Sequence, residues 1–135
     1  MSENLDLVRS IYSALNNGYA SGNYTTAAAF SHPDIVLRTS GMFPETGEYR
    51  GYDAVRRFTE NQAQAFESMY VEPREYIEAG YRVVVPIRFG GKARTTGIQA
   101  SFDVVHVWTI RDGKVSELAI YRDRGDALKF AGLKE

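Results

Sequence analysis

The hydrophobic pattern of this chain changes period near residue 68, and that change limits its fold more than any other feature. Before it, apart from one short alternating run, apolar residues recur every three or four positions; after it they alternate or run on continuously between turn residues. Helices first and strands afterwards cannot build a doubly wound parallel sheet, which needs the two to alternate, so the pattern predicts an α+β domain.

Leu5, Val8, Ile11, Tyr12 and Leu15 form the apolar stripe of a first helix, with Glu3 and Asp6 in its opening turn and Asn16-Asn17-Gly18 as its stop. Asn23 to Phe30 reads as a short second helix closed by Ser31-His32-Pro33, because a residue before proline is pushed out of the α region. Asp34 to Ser40 alternates as a strand. Gly41 to Gly51 reads as a loop or short hairpin and is the expected lid. A third helix, from about Asp53 to Ser68, sets Val55, Phe58, Gln62, Ala65 and Phe66 on one side. Strands are then expected over Val71 to Ala79, Arg82 to Phe89, Ala93 to Arg111 and Lys114 to Arg122. The third of these is long enough to need a bulge, and Asp112-Gly113 marks the tight turn after it. A closing helix, Asp126 to Leu133, has Asp123 as its expected cap.

With 135 residues, no repeat and no linker-like run, the chain reads as one domain over residues 1–135. Such a domain buries roughly two-thirds of the surface its unfolded chain exposes, so its core needs no staple. None is offered: the absence of cysteine removes disulfides, thiol nucleophiles and thiolate metal sites. His32 and His106 are far apart and show no HxH or HExxH spacing, so no metal is indicated, and no phosphate loop or nucleophile elbow suggests a cofactor. A net charge of −1 without a Lys/Arg run argues against nucleic acid. No stretch reaches the ~18 apolar residues of a membrane span. The amino terminus MSENLDLV is acidic where a signal peptide is basic, and the expectation is a cytoplasmic protein.

Three stretches carry a family resemblance: LVRSIYSALNNG in the first helix, GEYRGYDAVRRF entering the third, and VVHVWTIRDGKVSELAIYRD over the last two strands. Together they resemble the nuclear transport factor two-like superfamily, and within it the SnoaL-like polyketide cyclases and ketosteroid-isomerase-related proteins. The resemblance spans essentially the whole chain, but its motifs are structural signatures that speak to fold more than to chemistry. It implies a cone, in which a curved antiparallel sheet wraps around three N-terminal helices as a cystatin-like α+β barrel with a short C-terminal helix. It further implies a deep, mainly apolar pocket and a homodimer through the outer face of the sheet. By the same resemblance the general-base aspartate of the ketosteroid isomerases falls on Thr39. Their oxyanion-hole tyrosine falls on Ile11, with Tyr12 one residue and about a hundred degrees around the helix, and their carboxylic acid donor falls near His106. The last-strand aspartate of the SnoaL-like cyclases and limonene-epoxide hydrolases falls on Ile120, and the hydrolases' Arg-x-Asp pair on Ile87 and Phe89. The cyclases' strand histidine matches His106.

His106 is therefore the focus, with Phe102, Val104, Trp108 and Ile110 expected on its face. Desolvation among such walls lowers an imidazole pKa and keeps it available as a base near neutral pH; the alternative is a core histidine satisfied by a carbonyl or hydroxyl. What faces it depends on the Asp112-Gly113 turn. A two-residue loop pairs His106 with Ala119 and puts Glu117, Tyr121 and Asp123 on its face. A Gly113 bulge pairs it with Leu118, so that Ile120 and Arg122 share its face. The bulged register is preferred, and it leaves Val105, Val107, Ala119 and Tyr121 as an outer patch suited to a dimer interface. Asp103 and Arg122 are expected as an ordinary surface or interface pair.

Two classes of function fit. The first is a cofactor-independent acid/base enzyme, an isomerase, cyclase or dehydratase acting on an apolar ring-containing carbonyl compound. In it His106 and Tyr12 are catalytic, and Thr39, Met42, Tyr52, Phe58, Trp108 and Ile120 hold the substrate. The second is a non-catalytic ligand-binding or dimerisation module on the same fold. A tyrosine hydroxyl or carboxylate within hydrogen-bonding distance of His106 favours the enzyme, and a wholly apolar cavity favours the binder.

Overall fold

Ser2 begins the first helix: its hydroxyl accepts the Leu5 N–H at 3.3 Å, and Glu3 and Asp6 sit at the positive end of the helix dipole. In the computed structural model, which describes residues 2–40 and 47–133, this helix, α1 (Glu3–Ser21), runs past the stop expected at Asn16-Asn17-Gly18. Asn16 is occupied elsewhere, since its amide donates to the Val71 carbonyl and its oxygen accepts the Val71 N–H, both at 2.9 Å. Gly18 lies under the Tyr24 ring, where a Cβ would collide, and the left-handed cap falls on Gly22 at φ 80°.

After the single turn α2 (Thr25–Ala28) comes β1 (Ser31–Ser40), which starts earlier than expected. Pro33 is tolerated because it falls where β1's register with its neighbour is broken. The short β2 (Glu48–Arg50) leads into α3 (Tyr52–Gln64), followed by β3 (Phe66–Pro73), β4 (Ile77–Ala79), β5 (Arg82–Ala93), β6 (Gln99–Arg111) and β7 (Lys114–Tyr121). The chain closes with α4 (Arg124–Phe130), where the Asp123 side chain accepts the Gly125 N–H at 2.7 Å as the expected cap.

The seven strands form one curved open sheet in the order β2-β1-β7-β6-β5-β3, with β4 beside β5. Its pairings are antiparallel except one: β1 and β7, which are distant in sequence and not joined by a hairpin, run parallel. The β6–β7 register corrects both sequence alternatives. Asp112 and Gly113 have φ of 54° and 75°, and close a two-residue turn from Arg111 to Lys114 whose twist suits antiparallel strands. The extra residue is Ser116, inside β7, and past it His106 pairs with Ile120. The division of faces is still that of the bulged reading, because the bulge moves the register by one residue wherever it sits.

Inward residues Leu37, Val85, Ile87, Val104, Trp108 and Ile120 pack against Val8, Ile11 and Tyr12 of α1. On the outer face Val84, Val105, Val107 and Ala119 are buried under Ala127 and Leu128 of α4, and Tyr121 stacks obliquely on Phe130. The patch expected to serve a dimer is thus covered by this chain's own C-terminal helix. What remains around it is charged, including Arg38 between Glu117 and Glu48, and Arg88 on Asp103. Among the described residues no helix is long and apolar enough to cross a membrane.

Candidate functional site

Alternation along β6 turns Val104, His106, Trp108 and Ile110 inward, and the helical stripe of α1 brings Tyr12 against them. The Trp108 Nε1–H donates to the Tyr12 oxygen at 2.8 Å, and that oxygen lies 2.8 Å from His106 Nδ1. The Tyr12 and His106 rings are parallel within 2°, and Trp108 stands perpendicular to both. Because the Tyr12 oxygen already accepts from Trp108, its own hydrogen is best satisfied at Nδ1, which assigns the imidazole proton to Nε2. Burial pushes the imidazole down to about 3 and raises the Tyr12 phenol well above its ordinary value, the latter partly opposed by the Trp108 N–H. His106 is therefore neutral at physiological pH. Its Nε2 is a donor in this tautomer, where sequence reasoning expected a base.

A cavity of about 90 Å³ lies between α1, α3 and the inner face of the sheet, against His106. Tyr52, Phe58, Trp108 and Ile120, four of the residues expected to hold a substrate, line it with His106. Tyr12 does not; it stands behind His106 and holds the ring, while Ile11 and Leu15 take the helix's place on the wall. Thr39 is likewise absent from the wall. Its oxygen accepts the Gly47 N–H at 2.9 Å, so it pins the approach of β2 to β1. Met42 lies outside the described residues. Asp103 and Arg122 do not pair, because Arg88 takes the Asp103 carboxylate through bonds of 2.9 and 3.2 Å.

Most polar groups on the wall are already engaged. The hydroxyls of Tyr52, Thr59 and Ser31 donate to the Tyr24, Val55 and Ala27 carbonyls, and Arg56 pairs with Glu60 at 2.7 Å. No carboxylate lines the cavity among the described residues, nor do they hold a His/Asp/Glu group able to bind a metal ion. Among the described residues, those left for a ligand are His106 Nε2–H, the Gln62 amide and the hydroxyls of Tyr19 and Tyr24. The sequence placed Gln62 on the inner side of the third helix; Tyr19 and Tyr24 went unnoticed, although Tyr19 lies one turn beyond Leu15 on the same helical stripe.

This arrangement sits in a known setting. The SnoaL-like domain family matches residues 8–118. The solved structure of TerC co-crystallised with polyporic acid is 25% identical, covers 97% of this chain and 99% of its own, and superposes with a TM-score of 0.74. An NTF2-like protein of unknown function from Burkholderia pseudomallei K96243 is 24% identical over 96% of this chain and 97% of its own, with a TM-score of 0.75. A SnoaL-like polyketide cyclase assignment from Jannaschia sp. CCS1, 17% identical over 88% and 84% of the two chains, gives 0.77. No curated protein matches the sequence.

Proposed function

The chain belongs to the SnoaL-like domain family, and from that premise we propose that it binds a small ring-containing carbonyl compound and catalyses a cofactor-independent cyclisation or isomerisation, with His106 moving the proton. The observation that carries this reading is the buried relay from Trp108 through Tyr12 to His106. It fixes a neutral imidazole with one N–H directed away from Tyr12, and the cavity lies against that ring. A donor held in an apolar, water-poor site polarises a carbonyl oxygen without reorganising when charge develops on it.

The absence of a carboxylate on the described wall favours one kind of chemistry over another. Abstracting a proton from carbon needs a base near the operating pH, and an imidazole held near 3 is a weak one. An aldol-type ring closure of a substrate that is already enolic needs no such base. The enol carbon forms the new C–C bond to the carbonyl carbon, the carbonyl oxygen takes the Nε2 proton, and the enol O–H proton returns to Nε2. The imidazole ends as it began, and Tyr12 is a positioning residue that keeps Nδ1 occupied throughout. TerC's co-crystallisation with polyporic acid supports a small-molecule role for this chain. The second reading, a binding module, draws on the same low basicity of His106 and remains the alternative outcome of the test.

The test is a thermal-shift screen of wild type, His106→Ala and Tyr12→Phe against polycyclic phenols, aromatic ketones, steroids and terpenoid epoxides, with product analysis of each hit. A ligand at a hundred times its Kd adds about 2.7 kcal/mol. Conversion by wild type, binding without conversion by His106→Ala, and a kcat lowered ~10-fold or more with little change in KM for Tyr12→Phe are expected. Equal stabilisation of all three proteins with every ligand recovered unchanged would leave the binding module.

A further inference from the structure

The cavity is smaller than the ~150 Å³ that accommodates benzene in an engineered protein core, so a substituted ring system must extend beyond it. Resting on the carbonyl site proposed above, we infer that the site continues into a groove that takes a planar aromatic body bearing an anionic group, with Arg122 as the anion's partner. The groove, of about 650 Å³, opens where α3 ends, over Phe66, Phe89, Phe102 and Val104. Clefts of this size are usual for drug-sized ligands.

Three observations converge on that occupant. Gln62 lines both cavity and groove, and its amide has no hydrogen-bond partner among the described residues, so a change of rotamer costs no bond. The helix that carries it has no fully buried residue, unlike α1, and is the wall that yields most easily. Next, the Phe89 and Phe102 rings lie 5.3 Å apart and within 30° of parallel, with Phe102 50% exposed. An exposed stacked pair is a platform for a flat ring. Finally, Arg122 lines the groove without an ion pair among the described residues, while its neighbours are engaged: Arg88 with Asp103, Arg74 with Glu72 and Arg124 with Glu75. Asp103 also borders the groove, but its charge is already met by Arg88.

The placement sets a length. Ile120 pairs with His106, and Arg122 follows it by two residues, one past the end of β7, a span of at most about 7 Å. A ligand with its carbonyl at His106 and its anion at the Arg122 side chain is therefore one or two rings long. The charges orient it as well: the cavity would strip an anion of water while its own guanidinium, Arg56, is already paired with Glu60, whereas the groove edge offers Arg122.

The probe is an acetylbiphenyl carboxylate, with ketone and carboxylate at opposite ends, compared with the matching carboxamide by calorimetry. Wild type is expected to bind the carboxylate about tenfold more tightly. Arg122→Gln should lose that preference with the carboxamide affinity unchanged, and Arg122→Lys should keep part of it. In NMR the His106 ring signals should move on binding while those of His32, the only other histidine, stay still. Equal binding of both probes to wild type, or a parallel loss of both in Arg122→Gln, would overturn the inference. If His106 moves without any preference for the carboxylate, the carbonyl site stands and the groove assignment falls. Preference without movement of His106 would make the groove a separate site and overturn its continuity with the cavity. A Phe102→Ser variant that turns a dimer into a monomer would also overturn it, by naming a second copy as the groove's occupant.

Discussion

A histidine that cannot take a proton while folded makes the whole protein sensitive to acid. In the unfolded chain the imidazole titrates near its ordinary 6.5, and in the native core at about 3. Between those values the unfolded state binds the extra proton, so stability rises with pH there, is complete above about 6.5, and is lost as pH falls toward 3, at about 1.4 kcal/mol per pH unit. Between pH 7 and pH 4.5, wild type should lose about 2–3 kcal/mol more than His106→Gln in urea unfolding. Equal losses would mean that the native imidazole is already charged. The Asp103 carboxylate, lowered by its bond to Arg88, is present in both proteins and cancels from the difference. His106 was legible in the sequence as the one histidine in a strand pattern. The part played by Tyr12 was not, because the contact joins residues 94 apart and the chain contains 9 tyrosines. Nor does any pattern in sequence reveal that the Thr39 hydroxyl is taken by Gly47.

At the scale of elements, the strand pattern was readable where apolar residues alternate and misleading where glycine intervenes. Gly90-Gly91 resembles a stop after Phe89, yet β5 continues to Ala93. These glycines are there because neighbouring backbones come too close for a side chain: a Cβ on Gly90 would overlap the Ala100 carbonyl, and one on Gly91 the Ser68 carbonyl, with Gly91 at φ 153°. The β3–β5 register slips at the same end, between Phe66 and Ser68, and a bulge there lets the sheet bend around the end of α3. Ala65 and Phe66 had fitted the apolar side of the third helix, which is why the start of β3 was expected too late. Gly91→Ala should cost about 2–4 kcal/mol in chemical denaturation, since backbone must move on both strands. A loss below about 1 kcal/mol would show that β3 shifts freely. The hairpin of β6 and β7 gives the same lesson in another form, because Asp112-Gly113 announced the turn while nothing announced the bulge at Ser116.

For the molecule as a whole, the sheet has two apolar faces and the chain covers both by itself, the inner with α1 and α3 and the outer with α4. A helix as short as α4 has no stability in isolation, so its order depends on docking Ala127 and Leu128 over Val84, Val105, Val107 and Ala119. Arg82 reinforces the dock by donating to the Phe130 carbonyl at 2.9 Å with its guanidinium over the Phe130 ring. Truncating Leu128 to alanine should cost ~2–4 kcal/mol, unless α4 comes away first, in which case the loss is capped at the free energy of undocking. A charged residue there forces the second course. Leu128→Asp should leave the inner core and the His106 cavity folded while exposing the outer patch, seen as dye binding and concentration-dependent association in light scattering. The same variant examines the dimer expectation, because association through Val105, Val107 and Ala119 can begin only once α4 has left them. If Leu128→Asp stays as stable and as monodisperse as wild type, α4 is not what closes the face, and that outer surface is free to meet a second copy after all.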